Sequence, residues 1–299
     1  MDPSVIGSIG FAALLGLIAL GVPIAFAMAV VGIVGGYVLT GFTATVAQVG
    51  MNAWEESTDF ILIALPMFVL MGQLVFHLRL AEDLYDAVQK WLGRLPGGVA
   101  ITAVVASAAF GAVTGVSSAA VATMGAMTIP EMRRYKYDPA LATGSLAAAG
   151  TLAILIPPSV LMIVYGIWTE TSIGALFIAG IIPGLLAMTM YMITITLIGY
   201  LRPGFLPKGT YTTWRERFAG LKDIWAPVLL FVFVIGGLYG LPFLPRFTPT
   251  EAGGVGATGA FLIGVVTGRL DKEKVLASLL QATRTAAAVF TVLIGAVIF

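Results

Sequence analysis

The 299-residue sequence contains no cysteine and only one histidine, His77. Disulfide bonds and thiolate metal ligands are therefore excluded, and one imidazole alone cannot form a histidine metal cluster. His77 lies near Arg79 at the end of an apolar segment, a position typical of a polar residue at a membrane interface. These absences argue against a zinc protein and against a histidine-dependent enzyme.

Charged residues are also scarce. Asp, Glu, Lys and Arg make up 10% of the chain, whereas a soluble globular protein carries about 25%. Hydrophobic residues make up 59%, and the mean hydropathy is +1.00. We therefore predict an all-α polytopic membrane protein whose partner is the lipid bilayer. The net charge of +1 gives no reason to expect a nucleic-acid partner.

The few basic residues predict the membrane topology, because Lys and Arg concentrate in cytoplasmic loops. Three of them precede the uncharged segment 97–130 and three follow it. The six are Arg79, Lys90, Arg94, Arg133, Arg134 and Lys136. With both flanks on the cytoplasmic side, the segment enters the membrane and returns. Its two arms of about 13–15 residues are shorter than the roughly 20 residues of a full crossing. We predict a re-entrant helical hairpin over residues 97–130.

The region before the hairpin is predicted to form scaffold helices. Residues 4–40 are apolar throughout and, at about 1.5 Å per residue, too long for one crossing. A break at residues 21–23 predicts two spans, with one long kinked helix as the alternative. The acidic loop 41–59 is predicted to be external, as is Asp2, and a span follows over residues 60–76.

The alternation of apolar and basic segments predicts two inverted repeats. The first occupies residues 1–201, a cytoplasmic linker follows over 202–223, and the second repeat begins over 224–299. Its last span is predicted to start after Arg284. In chain order, the first repeat holds the scaffold helices at 4–76, an amphipathic cytoplasmic helix at 77–95, the re-entrant hairpin at 97–130, a broken helix at 139–167 and a span at 173–201.

The second repeat is expected to be incomplete. Phe299 ends an apolar run that begins at Ala286, without a cap or an interfacial residue. Since an inverted repeat of the first half needs a second hairpin and a second broken helix, we expect a continuation of roughly 125 residues.

Two local motifs predict where helices are interrupted or begin. Pro157 and Pro158 lie in the segment 150–159, where each proline removes a backbone donor and restricts the residue before it. They predict an extended break within the helix over 139–167. Thr248 and Glu251 form a capping box with a proline at the first helical position, which predicts a helix start.

The hairpin tip and the proline break suggest an ion site. They offer the hydroxyl groups of Thr114, Ser117, Ser118, Thr151 and Ser159. Non-helical backbone adds free carbonyl groups, and oxygen atoms of both kinds coordinate hard cations. The positive N-termini of half-helices can face an anionic substrate group.

The predicted spans contain no titratable residue, which favours Na⁺ over protons as the coupling ion. Two structural interpretations stay open beside the ion site. Small residues at the tip can serve close helix packing, and the Pro-Pro kink can be purely architectural.

Six segments resemble the large membrane subunit of tripartite ATP-independent periplasmic (TRAP) transporters. The matching stretches are GVPIAFAM at 21–28, LIALPMFVLMGQL at 62–74, FGAVTGVSSAAVATMG at 110–125, AAGTLAILIPPSVLMIVYG at 148–166, LFIAGIIPGLL at 176–186 and FTPTEAGGVGA at 247–257. The resemblance extends over essentially the whole chain. The hairpin motif and the proline motif are specific in combination, whereas the apolar remainder is not.

The resemblance implies an elevator-type secondary transporter of the bacterial inner membrane that uses a sodium gradient and no cofactor. It implies a small membrane (Q) subunit, a periplasmic substrate-binding (P) protein, and an organic acid such as a dicarboxylate or sialic acid as substrate. The Na⁺-binding residues implied are Thr114, Gly115, Ser117, Ser118, Gly150, Thr151 and Pro157. The substrate-facing residues implied are Ser117, Pro158 and Ser159.

Three other functions compete with this interpretation. A related sodium-coupled anion transporter that binds its substrate directly would work without a periplasmic protein. An intramembrane enzyme would need paired aspartates, a Ser–His pair or a metal site, none of which the sequence offers within its predicted spans. A scaffold subunit would not need a polar hairpin tip. We therefore predict a transporter subunit that is not an enzyme.

The topology can be tested with single cysteines, since the chain has none of its own. Leu95→Cys and Tyr135→Cys flank the hairpin, so both are expected to react with a membrane-impermeant maleimide from the cytoplasmic side only. Labelling of the two cysteines from opposite sides of the membrane would contradict the re-entrant hairpin.

Overall fold

The computed structural model describes residues 3–202, 206, 212–241 and 245–299. These ranges contain helices joined by short turns and no strand, which confirms the predicted all-α class. The helices run over Pro3–Ala19 (α1), Ile24–Thr40 (α2), Phe42–Thr58 (α3), Ala64–His77 (α4), Leu80–Leu92 (α5), Gly98–Thr114 (α6), Ser117–Arg134 (α7), Pro139–Leu155 (α8), Val160–Trp168 (α9), Ile173–Leu201 (α10), Trp214–Asp223 (α11), Trp225–Tyr239 (α12), Pro249–Val266 (α13) and Lys272–Ile298 (α14), with a 3₁₀ turn over Phe60–Ile63. The predictions for Asp2 and for much of the linker before α11 lie outside the described residues.

Several of these helices can cross a membrane. Within the described ranges, three helical stretches are long and apolar enough, and up to five if each of two bent helix pairs counts as one span. The three are Phe60–His77, Ile173–Leu201 and Lys272–Ile298. The predicted spans over 60–76 and 173–201 coincide with the first two. The chain is therefore a multi-pass membrane protein, as its composition predicts.

The first of two compact units comprises Met1–Ile63 and Thr283–Phe299. In this unit Leu14 of α1 is buried against Ala27 and Val31 of α2. Because α1 and α2 lie side by side, residues 4–40 form two helices rather than one long kinked helix. The turn between them contains Gly21 at a φ of 85°, a conformation that favours glycine.

Helix α3 corrects the prediction of a loop over residues 41–59. Residues 42–58 contain no proline and a single glycine, Gly50, so the local sequence places no barrier to a helix. The lack of basic residues in this segment concerns the side of the membrane and does not prevent helix formation. Its external position stays a prediction.

The second unit, Ala64–Ala282, contains the hairpin and the broken helix. Its most extensive helix–helix contact is between α4 and α13, where glycine residues permit close approach. A β-carbon added at Gly253 would lie 3.0 Å from Cβ of Met67, and one at Gly256 would lie within 3.5 Å of Cγ of Met71. Small residues at such a surface allow helices to pack closely in a membrane.

The amphipathic helix predicted over residues 77–95 is present as the shorter α5. A two-residue turn separates it from α4, because Arg79 adopts a left-handed conformation with a φ of 57°. Leu84 and Tyr85 on its apolar face are buried, and α5 packs against α6 and α11. The protein itself therefore covers much of this face.

The hairpin differs from its predicted limits. Its arms, α6 and α7, contain 17 and 18 residues rather than 13–15. Helix α7 also continues through Pro130 to Arg134, although the prediction ended the hairpin at that proline. The turn after Pro130 is held by Glu131, whose carboxylate accepts hydrogen bonds from Tyr85 Oη and from Gln89 Nε2, the latter at 3.2 Å. The re-entrant path of the hairpin stays a prediction.

Two helices in the later part of the chain also differ from prediction. The linker over 202–223 contains α11, which starts at a capping box between Thr213 and Glu216. Helix α14 starts at Lys272 rather than after Arg284, since Asp271 Oδ1 accepts a hydrogen bond of 2.8 Å from Lys274 N. Arg284 consequently lies inside a helix. In both helices a side-chain cap determines where the helix begins, and the charge pattern does not indicate that position.

The predicted capping box at the start of α13 is confirmed. Glu251 N donates to Thr248 Oγ1 at 3.3 Å, and Thr248 N donates to Glu251 Oε2 at 2.8 Å. Two backbone donors at the N-terminus of the helix are thus satisfied reciprocally.

Tyr85 anchors the end of α7 to α5. Burial, reinforced by Glu131, raises the pKa of Tyr85, so its hydroxyl stays protonated as a donor at neutral pH. We expect Tyr85→Phe to lower the free energy of unfolding by about 1 kcal/mol through loss of this hydrogen bond. Thermal unfolding of the purified protein measures the effect, with Tyr200→Phe at an exposed position as the control. Equal stability of the two variants would contradict the anchoring role.

Candidate functional site

The hairpin tip consists of two residues between α6 and α7. Gly115 has a left-handed conformation with a φ of 66°, and Val116 is extended. Thr114 is the last residue of α6, and Ser117 is the first residue of α7. The tip therefore exposes the carbonyl end of one helix next to the amide end of another.

The helix break predicted at the two prolines is confirmed. Helix α8 ends at Leu155, α9 begins at Val160, and the two axes differ by 44°. Because Pro157 and Pro158 lack an N–H group, neither can donate to a carbonyl of the preceding turn. This second interruption also places a carbonyl end beside an amide end.

The two interruptions meet in the second unit. Val160 N, at the start of α9, donates a hydrogen bond of 3.2 Å to the carbonyl oxygen of Gly115 at the hairpin tip. A β-carbon at Gly115 would lie 2.7 Å from the carbonyl oxygen of Pro158. The tip and the break are thus in direct backbone contact, as expected if both reach a similar depth.

Glycine also brings the hairpin arms onto α8. A β-carbon at Gly150 would lie 1.9 Å from Val121 Cγ2 and 3.7 Å from the carbonyl oxygen of Ser117. One at Gly111 would lie 2.5 Å from Cβ of Ala153. The absence of a side chain at these two positions allows α6 and α7 to contact α8 closely.

The hydroxyl groups at this junction differ in their surroundings. Thr114 and Ser159 are 2% and 0% exposed, and neither Oγ1 of Thr114 nor Oγ of Ser159 has a hydrogen-bond partner. Ser117 is half-buried, whereas Ser118 is exposed. Buried polar atoms without a partner are rare in proteins and call for a ligand, a water molecule or an ion.

One predicted site residue lies apart from the others. Thr151 is exposed, and its hydroxyl donates to the carbonyl oxygen of Ala148 at 2.7 Å and lies 3.2 Å from Tyr191 Oη. It therefore faces α10, whereas its neighbour Gly150 faces α7. The structure brings together the remaining predicted positions at the tip and the break, namely Thr114, Gly115, Ser117, Gly150, Pro157, Pro158 and Ser159, with Ser118 at the exposed edge.

The partial charges at this junction come from helix ends rather than from charged side chains. The C-terminal ends of α6 and α8 carry partial negative charge and suit a cation, while the N-terminal ends of α7 and α9 carry partial positive charge and suit an anion. No group of three or more His, Asp or Glu side chains that could hold a metal ion occurs in the described residues. The available ligands at the junction are hydroxyl and carbonyl oxygens.

Sequence reasoning missed the residue that closes the junction from α4. A β-carbon at Gly72 would lie 2.9 Å from both the Cα and the carbonyl oxygen of Thr114. A glycine within an apolar helix signals close packing in general. The sequence alone gave no sign of which residue it contacts.

Comparison with known proteins identifies the family. The sequence profile described as "Tripartite ATP-independent periplasmic transporter, DctM component" matches residues 11–299. The chain belongs to this family. The predicted membership of the TRAP large membrane subunits is thereby confirmed. Because the family consists of transporter permeases, the prediction that the chain is not an enzyme is confirmed as well.

Curated relatives of this permease differ in the substrates that their names record. This chain is 38% identical over 213 residues to the C4-dicarboxylate TRAP transporter large permease protein DctM of Pseudomonas aeruginosa. The match covers 71% of this chain and 48% of the relative. Identity to the sialic acid TRAP transporter large permease protein SiaM of Vibrio cholerae is 33% over 295 residues, covering 95% and 65%. Identity to the ectoine TRAP transporter large permease protein TeaC of Halomonas elongata is 31% over 284 residues, with the same coverage. The permease chain spans about half to two thirds of the length of these relatives.

The contact between the two interruptions can be tested at Gly115. Gly115→Ala adds a β-carbon that meets the Pro158 carbonyl and forces alanine into a left-handed conformation. We expect the free energy of unfolding to fall by about 1–3 kcal/mol, the cost of such strain. Thermal unfolding in detergent measures it. Gly144→Ala is the control, since an added β-carbon there has no neighbour within 4 Å; equal stability of both variants would contradict the proposed contact.

Proposed function

We propose that this permease is the membrane subunit of a sodium-coupled secondary transporter, with the Na⁺ site at the contact between the hairpin tip and the α8–α9 break. The observation that carries the proposal is the pair of buried hydroxyl groups without partners, on Thr114 and Ser159. Two helix carbonyl ends at the same place add further oxygen ligands. Na⁺ is bound in transporters by unwound carbonyls and half-helix ends of this kind.

Na⁺ fits this junction better than a proton does. A coupling proton needs a titratable side chain, and the described residues that meet at the junction are threonine, serine, glycine, proline and valine, none of which titrates. We assign Thr114, Gly115, Ser117, Ser118, Gly150 and Pro157 to the ion side of the site, and we add the buried hydroxyl group of Ser159, which like Ser117 also borders the substrate side. Thr151 is the weakest candidate, because its hydroxyl faces α10.

The substrate is proposed to be an organic acid. C4-dicarboxylates, sialic acid and ectoine, the compounds named for the relatives, all carry a carboxylate group. The N-terminal ends of α7 and α9 provide amide groups for such an anion without a basic side chain. Ser117, Pro158 and Ser159 are assigned to the substrate side, next to these amides.

The same proposal includes the partners and the location. We assign the permease to the bacterial inner membrane, together with a small membrane subunit and a periplasmic protein that delivers the substrate. Two inverted repeats moving as an elevator would expose the site to each side in turn. The alternative, direct binding of the substrate without the periplasmic protein, predicts uptake that does not depend on that protein.

The ion site can be tested in proteoliposomes that contain the full-length permease with its partners. Ser159→Ala and Thr114→Val each remove one ligand oxygen, so we expect the Na⁺ concentration for half-maximal uptake to rise about tenfold, equivalent to about 1.4 kcal/mol. Ser107→Ala is the matched control, because its hydroxyl is also buried without a partner but lies two turns from the tip. Ser117→Ala and Ser118→Ala are expected to act in the same direction.

Thermal stability is measured on the same variants. A loss of stability with an unchanged Na⁺ response would favour a packing role for these residues over ion binding. An equal rise in the Na⁺ requirement for Ser107→Ala would also contradict the assignment of the site.

A further inference from the structure

A buried arginine lies where α11 packs on α5. Arg217 is 5% exposed, and its Nε and Nη2 atoms have no hydrogen-bond partner. Its guanidinium carbon lies 4.9 Å from the centre of the Trp214 ring, which covers one face of the group. A buried cation with unpaired N–H groups is costly, so this group calls for an anionic partner.

The chain itself does not supply that anion among the described residues. Glu216 on the same helix is occupied by the cap at Thr213, and Asp223 lies 3.7 Å from Lys90 Nζ. The sequence between Arg202 and Thr213, which leads into α11, contains no Asp or Glu. The described residues therefore offer no negative charge to pair with Arg217.

Exposed aromatic rings surround Arg217. Trp214 and Phe218 are 65% and 58% exposed on the outer face of α11, and Trp91 packs against both rings. Trp91 Nε1 also donates a hydrogen bond of 3.2 Å to the carbonyl oxygen of Arg217. Aromatic residues of this kind concentrate where lipid head groups meet the apolar core of a bilayer.

An apolar groove is lined in part by α5 and α12, two helices that contact α11. It has a volume of about 290 Å³ and is lined by α5, α6, α10 and α12, including Leu84, Ala112, Leu185 and Val228. Leu84 is two turns from Trp91 along α5. Helix α12 begins two residues after the end of α11, and Val228 lies in its first turn. Helices α5 and α12 therefore both lead from the surroundings of Arg217, at the elbow between α11 and α12, to the groove.

We infer that this elbow is a binding site for an anionic phospholipid. Arg217 would take the phosphate group, for which guanidinium offers paired donors, and the groove would take an acyl chain. Lys90 and Lys222 nearby favour a head group without a cationic amine. A free phosphate ion shares the head-group chemistry but leaves the groove and the exposed aromatic rings unexplained.

The test uses the purified full-length permease, delipidated and titrated with phosphatidylglycerol, phosphatidylcholine or inorganic phosphate. Lipid retention is measured by native mass spectrometry, and the shift in melting temperature by thermal unfolding. We expect phosphatidylglycerol to bind and stabilise the protein, phosphatidylcholine to bind about tenfold more weakly, and phosphate to have no effect. Equal binding of the two lipids, or stabilisation by phosphate that matches phosphatidylglycerol, would overturn the proposal.

Variants locate the site. Arg217→Gln is expected to weaken phosphatidylglycerol binding about tenfold, as loss of one charge-assisted hydrogen bond would. Arg215→Gln is the matched control, because it removes the same charge from an exposed position on the same helix. Equal effects of the two changes would overturn the role of Arg217.

A change in the groove keeps the test decisive if Arg217→Gln does not fold. Val228→Trp fills the groove from an exposed position. It is expected to weaken phosphatidylglycerol binding by a similar factor, and unchanged binding would overturn the assignment of the acyl chain. Displacement of the bound lipid by the small membrane subunit would instead assign Arg217 to a carboxylate of that partner.

Discussion

The hydrogen bond from Val160 N to the Gly115 carbonyl joins two interrupted helices, and the geometry of the candidate site depends on it. Each interruption frees backbone groups that an apolar environment cannot satisfy, and each free group costs several kcal/mol in lipid. Because the hairpin tip contacts the proline break, a free N–H group of one interruption can bond to a free carbonyl group of the other. The same contact gathers two carbonyl ends and two amide ends of helices around Thr114 and Ser159. The polar site is thus a consequence of how the protein tolerates two breaks.

Such an arrangement demands positions without side chains. The hydrophobic effect gives little drive for helices to associate within lipid, so close packing has to supply the stabilisation. Gly72, Gly111 and Gly150 each occupy a point where a β-carbon would come within 3.0 Å of a neighbouring helix. They place α4, α6, α7 and α8 close enough to enclose the junction. The site is therefore built by the packing of four helices as much as by its own hydroxyl groups.

Local chemistry was predictable from the sequence, whereas three-dimensional contacts were not. The break at Pro157–Pro158 and the capping box at Thr248 follow from the properties of the residues concerned, and both were confirmed. Helices α3 and α11 were missed because charge placement, which indicates the side of a membrane, says little about helix formation. Thr151 was grouped with Gly150 by sequence proximity. Adjacent residues in a helix point about 100° apart, since one turn takes 3.6 residues, and the two positions face different helices.

A junction with dipoles and hydroxyl groups, and without a charged side chain, constrains how transport can be coupled. A cation bound there alone, or a carboxylate bound there alone, would leave a net charge in a region of low dielectric constant, at a large desolvation cost. Bound together, the two ions offset each other, so each strengthens the binding of the other by the same factor. In the proposed function, the coupling of Na⁺ to an organic acid would then arise from the neutrality of the site itself.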